Sequence, residues 1–335
     1  MFKDGAVCQY PYKAANHNKS RQARPNRLVS MSLTLRPYYQ LMPPSTSKNA
    51  APTIAERIRE RFSSLTKAER QLADALMANY PVAGLVSITS LARSAGVSTP
   101  TVLRTAKKLG FAGFPAFKSA LRAELKATLS SPISKHDKWA ASAPESHILN
   151  RFADAVQENL RRSVAQVDPK AFDEAGAMLA DPNAAIHIAG GRITHTMADY
   201  LFTHFQVIRE NVFLLQTSAS LWPHSLLNMK PGDVLVIFDI RRYETDLIEL
   251  ATLANERGID IILFTDQWMS PIAAVAKHAF NVRIEVPSAW DSSVATLFLV
   301  EAMIATVEEA LWADASERMQ RLEAIFDTTR HLKKR

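Results

Sequence analysis

The stretch that decides the N-terminal part of the fold is residues 87–109, SITSLARSAGVSTPTVLRTAKKL. Its first apolar positions recur at the spacing of one helix face, which predicts a short amphipathic helix. These positions are Ile88, Leu91, Ala92 and Ala95. Gly96 follows directly, where a tight turn between two helices favours a residue that tolerates a positive φ. The first half of the stretch therefore predicts a helix that ends in a sharp turn.

The second half of the stretch has the features of a helix start. Ser98 is a favourable N-cap residue, and Pro100 would lie in the first turn, where its missing N–H is not needed. Apolar residues that would face the first helix follow at Val102, Ala106 and Leu109. Two short helices joined by a glycine turn predict a helix-turn-helix.

The outer face of this second helix is polar and basic. Thr101 and Arg104 lie one turn apart near its start, so we expect both to reach base edges in the major groove. We expect Thr99, Lys107 and Lys108 to bind phosphates, which adds affinity but no sequence information. The alternative is a helical hairpin with a solvated charged face.

Charge is divided unevenly along the 335 residues. The net charge is +7, with +7 in residues 1–50, +7 in residues 51–130 and −7 in residues 131–335. A basic N-terminal part on an acidic body suggests a polyanion-binding module joined to a domain that does not bind polyanions. Residues 1–50 show no apolar period and are expected to form a disordered basic tail. The alternative to polyanion binding by this tail is that it is merely a solvated linker.

Cysteine usage and hydropathy exclude several classes. Cys8 is the single cysteine, so neither an intramolecular disulfide nor a multi-cysteine metal site is possible. We expect no metal and no cofactor. The first residues lack the apolar core of a secretory signal, and no apolar run is long enough to span a membrane. These features predict a cytoplasmic protein without a membrane partner.

The rest of the chain predicts two folded domains. Residues 51–130 form the helix-turn-helix DNA-binding domain, in which Thr66-Lys67-Ala68-Glu69 is a capping box at a helix start. Residues 131–165 are expected to be a linker and connecting helix. In residues 166–335, short Ile- and Val-rich runs alternate with helical segments, which predicts an α/β doubly wound domain with a five-stranded parallel sheet. The runs are residues 184–189, 212–215, 233–239, 260–265 and 280–286.

These motifs resemble the RpiR/MurR-type transcriptional regulators, in which a helix-turn-helix domain precedes a SIS (sugar isomerase) domain. The similarity lies in LTKAERQLADALMANYP and in VSTPTVLRTAKKLGFAGF, and it extends over about residues 51–330. By this resemblance Ser98, Thr101 and Arg104 belong to the recognition helix.

The resemblance also implies a ligand site at the carboxyl ends of the strands, where loops that open helices hold a sugar phosphate. The first such loop would supply Gly190, Gly191, Arg192 and Thr194, with the Thr194 hydroxyl as a phosphate donor. In the second loop the chain departs from the Ser-rich pattern of SIS domains, with Asp239, Arg241, Arg242 and Thr245. Asp239 would repel a phosphate, whereas the arginines would bind one or instead cross a dimer interface. Asp291 is either a helix cap or a ligand contact.

The sequence therefore predicts a transcriptional regulator that binds double-stranded operator DNA and senses a small anionic metabolite, a sugar phosphate or related sugar acid. We expect a homodimer or tetramer. A SIS-like domain that serves only oligomerisation is one alternative. An active sugar-phosphate isomerase is another, but no acid/base pair stands out and we expect no enzyme. His187 is interpreted as a core residue, and Glu244 as a carboxylate that favours a helix N-terminus.

Overall fold

The computed structural model describes residues 51–141 and 147–329. The predicted tail, residues 1–50, lies outside the described residues. The N-terminal part is helical, with α1 (Ile54–Arg61), α2 (Lys67–Met77), α3 (Ile88–Ser94), α4 (Thr99–Lys108) and α5 (Phe114–Thr128). Two more helices, α6 (Pro132–Ala141) and α7 (Ile148–Val164), fall in the segment that was expected to be a linker and connecting helix.

Local sequence signals fix where the first helices begin. Thr53 and Glu56 form a capping box at the start of α1, in which each residue's side chain accepts a hydrogen bond from the other's backbone N–H. The predicted box at Thr66 and Glu69 opens α2 in the same way. These helices pack around one apolar core, whose fully buried members include Leu72, Leu76, Leu91, Leu109 and Leu121.

The C-terminal part alternates strands and helices. The strands are β1 (Ile186–Gly190), β2 (Val212–Leu214), β3 (Val234–Asp239), β4 (Asp260–Asp266) and β5 (His278–Val282). The helices are α8 (Pro169–Ala180), α9 (His195–Ile208), α10 (Trp222–Asn228), α11 (Thr245–Asn255), α12 (Val294–Ala310) and α13 (Trp312–Thr329).

All five strands are parallel, in the order β2-β1-β3-β4-β5. The predicted five-stranded parallel sheet is confirmed. Helices α8, α9 and α12 bury one face of the sheet, and α10 and α11 bury the other. The chain passes from β1 outward to β2 and then returns to β3 on the other side of β1. Such a reversal opens a crevice at the carboxyl ends of the two adjacent strands, here β1 and β3.

The fifth strand and the final helical segment differ most from the sequence expectation. The fifth strand ends at Val282, and residues 283–286 continue as buried chain without ladder pairing. The apolar run continues to Val286, so the sequence predicts a strand that ends later. Buried residues give this signal whether or not they pair with a neighbouring strand. The final helical segment is divided into α12 and α13, which meet at Leu311.

A buried ion pair connects helix α1 to the α/β part of the chain. The Arg283 guanidinium donates to both carboxylate oxygens of Glu56, with Nε to Oε1 at 2.7 Å. Their side chains are 7% and 1% exposed. Burial by itself raises the pKa of the Glu56 carboxyl group, but the Arg283 contact and the hydrogen bonds of Thr53 and Gln166 together lower it overall. Beside it, Arg59 donates to the Gln166 side chain at 3.0 Å.

We expect Glu56→Ala to lower the free energy of unfolding by about 3–5 kcal/mol, because it leaves the Arg283 charge buried without this partner. Urea denaturation measures the effect. Glu60→Ala, at an exposed position of the same helix, is the matched control and should cost less than about 0.5 kcal/mol. Equal effects of the two substitutions would contradict the importance of the ion pair.

Candidate functional site

The turn between α3 and α4 has the geometry expected of a helix-turn-helix. Gly96 has φ +64°, and a Cβ there would meet nothing within 4 Å. The position therefore requires glycine for its backbone angle and not for space. The Val97 N–H donates to the Ala92 carbonyl at 2.9 Å, and the Ser98 hydroxyl caps α4.

The outward surface of α4 differs from the expected one at Thr101. Arg104 and Lys107 are exposed, Ser98 is exposed just before the helix, and Thr99 is half-buried. Thr101 is only 5% exposed, so the expectation that it faces outward is wrong. Its hydroxyl lies 2.9 Å from the Ser98 hydroxyl and accepts a hydrogen bond from Arg104 Nη2 at 3.2 Å. Thr101 thus orients the arginine and is not itself part of the outer face.

Lys108 also differs from the expectation of a free phosphate-binding cation. Its ammonium group forms an ion pair with Glu69 at 2.9 Å and donates to the Ser64 carbonyl at 2.6 Å. These contacts tie the end of α4 to the start of α2. Among the described side chains of α4, Arg104 and Lys107 are therefore the cations that face outward.

A cavity of about 180 Å³ lies at the predicted crevice. It is enclosed by the loops after β1 and β3, by the start of α6 and by the segment before α12. The charged or hydroxyl-bearing lining residues are Ser130, Lys135, Arg192, Thr194, Asp239, Arg241, Arg242, Glu244, Asp291, Ser292 and Ser293. Five expected ligand residues line this cavity, namely Arg192, Thr194, Arg241, Arg242 and Asp291. Gly190, Gly191 and Thr245 lie outside its lining.

The loop after β1 is closely packed. A Cβ on Gly190 would lie 2.7 Å from the Thr194 and His195 backbone, so only glycine fits. The Thr194 hydroxyl accepts from the Gly191 N–H at 2.8 Å and donates to the Phe238 carbonyl at 2.7 Å. Its single hydrogen is therefore committed. The expectation that Thr194 supplies a phosphate donor does not match this arrangement.

Glu244 lies beside this loop, and sequence reasoning had assigned it only to the helix dipole. Its carboxylate accepts from the Arg192 N–H at 2.9 Å, and it makes no side-chain cap to α11. Below it, Asp239 is 2% exposed and accepts hydrogen bonds from the Ser270 hydroxyl and the Glu244 N–H. Burial, together with the nearby Asp266 and Glu244 carboxylates, raises the pKa of Asp239 to about 7 despite these hydrogen bonds.

The loop after β3 contains two residues in the left-handed region, Arg241 with φ +49° and Arg242 with φ +57°. This conformation is costly for residues other than glycine and persists only where surrounding contacts impose it. Here the fully buried Asp266 does so, because it accepts from the Arg241 N–H at 2.7 Å and from the Tyr243 hydroxyl at 2.8 Å.

The Arg241 side chain connects three parts of the molecule. Its guanidinium donates to the Ala127 carbonyl near the end of α5, and it forms an ion pair with Asp291 at 2.8 Å. It also stacks over Trp268, 4.4 Å from the ring centroid. Asp291 in turn binds the ammonium group of Lys135 on α6.

Asp291 is thus the centre of an ion-pair cluster and not a helix cap. The cap alternative is wrong, because Ser293 is the residue at the start of α12 and the Ser292 hydroxyl accepts from the Val294 N–H. The pairing of Lys135 with Asp291, which are 156 positions apart, carries no local sequence signal. Only the packing of α6 against the cavity reveals it.

Within residues 51–141 and 147–329, no group of three or more His, Cys, Asp or Glu side chains is arranged to hold a metal ion. No helix in that part of the chain is both long and apolar enough to cross a membrane.

The raised pKa of Asp239 predicts a pH-dependent stability. Because the folded-state pKa of about 7 exceeds the ordinary 3.8, the folded protein holds this proton more tightly than the unfolded chain does. The resulting stabilisation is present at low pH and is lost as the pH rises toward 7. The Tm of the wild-type protein should therefore fall between pH 5 and pH 8 as Asp239 ionises. In Asp239→Asn, which cannot titrate, the fall in Tm over the same range should be smaller. Parallel curves of Tm against pH for the two proteins would contradict the assignment.

Comparison with known proteins agrees with this architecture. Residues 53–128 match the family model of the helix-turn-helix domain, rpiR family, and residues 178–306 match that of the SIS domain. The HTH-type transcriptional regulator HexR of Pseudomonas aeruginosa is 24% identical over 286 residues, which cover 83% of this chain and 97% of the relative. HexR of Escherichia coli is 27% identical over 242 residues, covering 70% of this chain and 79% of the relative.

Among solved structures, the Vibrio vulnificus NanR protein complexed with ManNAc-6P aligns with a TM-score of 0.49 and 19% identity. The alignment covers 83% of this chain and 99% of that chain. With its rpiR-family helix-turn-helix domain followed by a SIS domain, the chain belongs to the RpiR-type transcriptional regulators.

Proposed function

We propose that this protein is a transcriptional regulator that binds operator DNA through α4 and senses a small anionic metabolite in the cavity between β1 and β3. The observation that carries the proposal is the Arg241 side chain. It lines the cavity and also binds the Ala127 carbonyl near the end of α5. Helix α5 is part of the helix-turn-helix core through Phe117 and Leu121, so one residue contacts both the ligand site and the DNA-binding domain.

The ligand class follows from the charges in the cavity. Arg192 and Arg242 are exposed and line it, and neither guanidinium has an ion-pair partner among the described residues. Two such cations favour an anionic ligand, bound by charge-assisted hydrogen bonds. The hydroxyl and carboxylate groups of the lining suit a polyhydroxylated molecule. A sugar phosphate or a sugar acid combines both properties.

The ion-pair cluster supplies a route from the ligand to the DNA-binding helices. Asp291 holds both Arg241 and Lys135, and Arg241 holds the end of α5. An anion that competes with Asp291 for these cations would weaken the link between the cavity and α5. Movement of the DNA-binding helices by a few ångströms loses base and phosphate contacts together, so a coupling free energy of roughly 1–3 kcal/mol is sufficient for regulation.

The cavity favours a sensor over an enzyme. Isomerisation of a sugar phosphate needs a base poised beside the substrate carbons. Of the carboxylates in the lining, Asp291 is engaged in ion pairs, Asp239 accepts from Ser270, and Glu244 binds a backbone N–H. No histidine is among the described residues that line the cavity.

We also propose that the protein acts as a homodimer or tetramer, which would pair two recognition helices on a palindromic operator. On α12, Val294 and Phe298 remain 44% and 41% exposed. Apolar side chains exposed on an otherwise apolar helix are consistent with a subunit interface.

Two substitutions on α4 test the DNA-binding role. Arg104→Ala should weaken binding to the operator by roughly 1–3 kcal/mol and relax discrimination at one base pair, whereas Lys107→Ala should weaken all DNA about equally. Fluorescence anisotropy with the protein's own upstream DNA and with a scrambled duplex, at two salt concentrations, separates the two effects. If Arg104→Ala loses specific and random binding equally, its role in reading bases is refuted.

Arg242→Ala tests the sensor role, because this arginine lines the cavity and its side chain forms no ion pair within the described chain. We expect the concentration of glucose 6-phosphate or gluconate that changes operator affinity to rise about tenfold, the usual cost of one charge-assisted hydrogen bond. Operator affinity without ligand should stay within about twofold. Arg257→Ala, at an exposed position beyond α11, is the control.

The outcomes of that titration separate the alternatives. An unchanged response in Arg242→Ala would remove this residue from the ligand site. If no metabolite changes the operator affinity of the wild-type protein, the sensor function is refuted. The remaining alternative is then a SIS domain that serves only oligomerisation.

A further inference from the structure

We propose that Glu244 determines the ligand selectivity of the cavity. Its carboxylate fills the backbone donor site of the loop between β1 and α9, so a dianionic phosphate is disfavoured there. The anionic group of the ligand is directed instead to the arginine side chains that line the cavity, and a hydroxyl-bearing end faces Glu244. This inference rests on the proposed ligand-sensing function and specifies how the ligand is oriented.

The first support is that the donors at the start of this loop are already used within the chain. The Gly191 N–H donates to the Thr194 hydroxyl, and that hydroxyl donates to the Phe238 carbonyl. The Arg192 N–H, which comes next, donates to Glu244 at 2.9 Å. A loop that would otherwise present these groups to an external anion therefore holds an anion of the protein itself.

The second support is that the carboxylate fits closely against the loop. A Cβ on Gly191 would lie 2.5 Å from Glu244 Oε1, so the absence of a side chain at Gly191 makes room for the carboxylate. The Glu244 backbone is fixed as well. Its N–H donates to Asp239 at 3.4 Å, and its carbonyl accepts from Leu247 and Ile248 in the first turn of α11.

The third support is electrostatic. A phosphate monoester placed at the Arg192 N–H would have to displace the Glu244 carboxylate or lie against it, and like charges at such short range repel each other. Asp239 lies directly below and adds to the negative potential whenever it is ionised. A ligand hydroxyl, by contrast, can donate to the carboxylate oxygen that does not bind Arg192.

The test compares the binding of inorganic phosphate and of gluconate to three variants of the full chain by isothermal titration calorimetry. Glu244→Ala removes the carboxylate and exposes the Arg192 N–H. Glu244→Gln keeps an acceptor oxygen for that N–H but removes the charge. Glu249→Ala, an exposed carboxylate on α11, is the matched control.

We expect Glu244→Ala to bind inorganic phosphate at least about tenfold more tightly than the wild type and to bind gluconate more weakly. Glu244→Gln should show an intermediate gain for phosphate, because its amide still occupies the donor. Glu249→Ala should resemble the wild type in both titrations. Circular dichroism of each variant verifies that the fold is intact.

Equal phosphate affinity of Glu244→Ala and the wild type would overturn the proposal, as would a gain of the same size in Glu249→Ala. Absence of phosphate binding in every variant would also overturn it, because the vacated donor would then attract no anion. In each case a wild-type protein whose operator affinity still responds to a metabolite would retain the sensor function. The two hypotheses therefore fail separately.

Discussion

The arrangement of the α/β domain around its cavity depends on the placement of one buried guanidinium, that of Arg241. Its backbone is held in the left-handed region by Asp266, and its side chain is stacked on Trp268 and paired with Asp291. From this position it binds the carbonyl of Ala127 on the last helix of the DNA-binding domain. A cation buried in this way is stable only while its partners remain in place. The same contacts that neutralise it therefore also determine how the cavity is joined to α5.

A second buried contact acts at the other end of the interface between the two parts of the chain. Glu56 on α1 and Arg283 beyond β5 form an ion pair with almost no exposure. The two connections differ in what they permit. The Glu56 pair is not part of the cavity lining and fixes α1 to the α/β part, whereas the three residues of the Arg241 cluster line the cavity. Under the proposed function, the Arg241 connection is therefore the one that a bound ligand would weaken.

Local patterns were sufficient to predict much of this structure. Ile- and Val-rich runs identified the parallel sheet, and the glycine turn with its Ser98 cap identified the recognition helix. The burial of Thr101 was not predictable, because helical periodicity places it at the margin of the apolar stripe and only packing decides its exposure. Contacts between distant positions, such as Lys135 with Asp291 and Glu244 with Arg192, could not be predicted from the sequence either. They depend on which loops the sheet topology brings together, and single residues carry no signal for that.

In the proposed mechanism, Arg241 couples the cavity to α5. Hydrogen exchange of the full chain, with and without the metabolite that most changes operator affinity, tests it most directly. We expect faster exchange at the amides of residues 125–135 when the ligand is bound, because the anion competes for the cations that hold this segment. Protection confined to the loops at residues 190–194 and 239–245, with residues 125–135 unchanged, would contradict it.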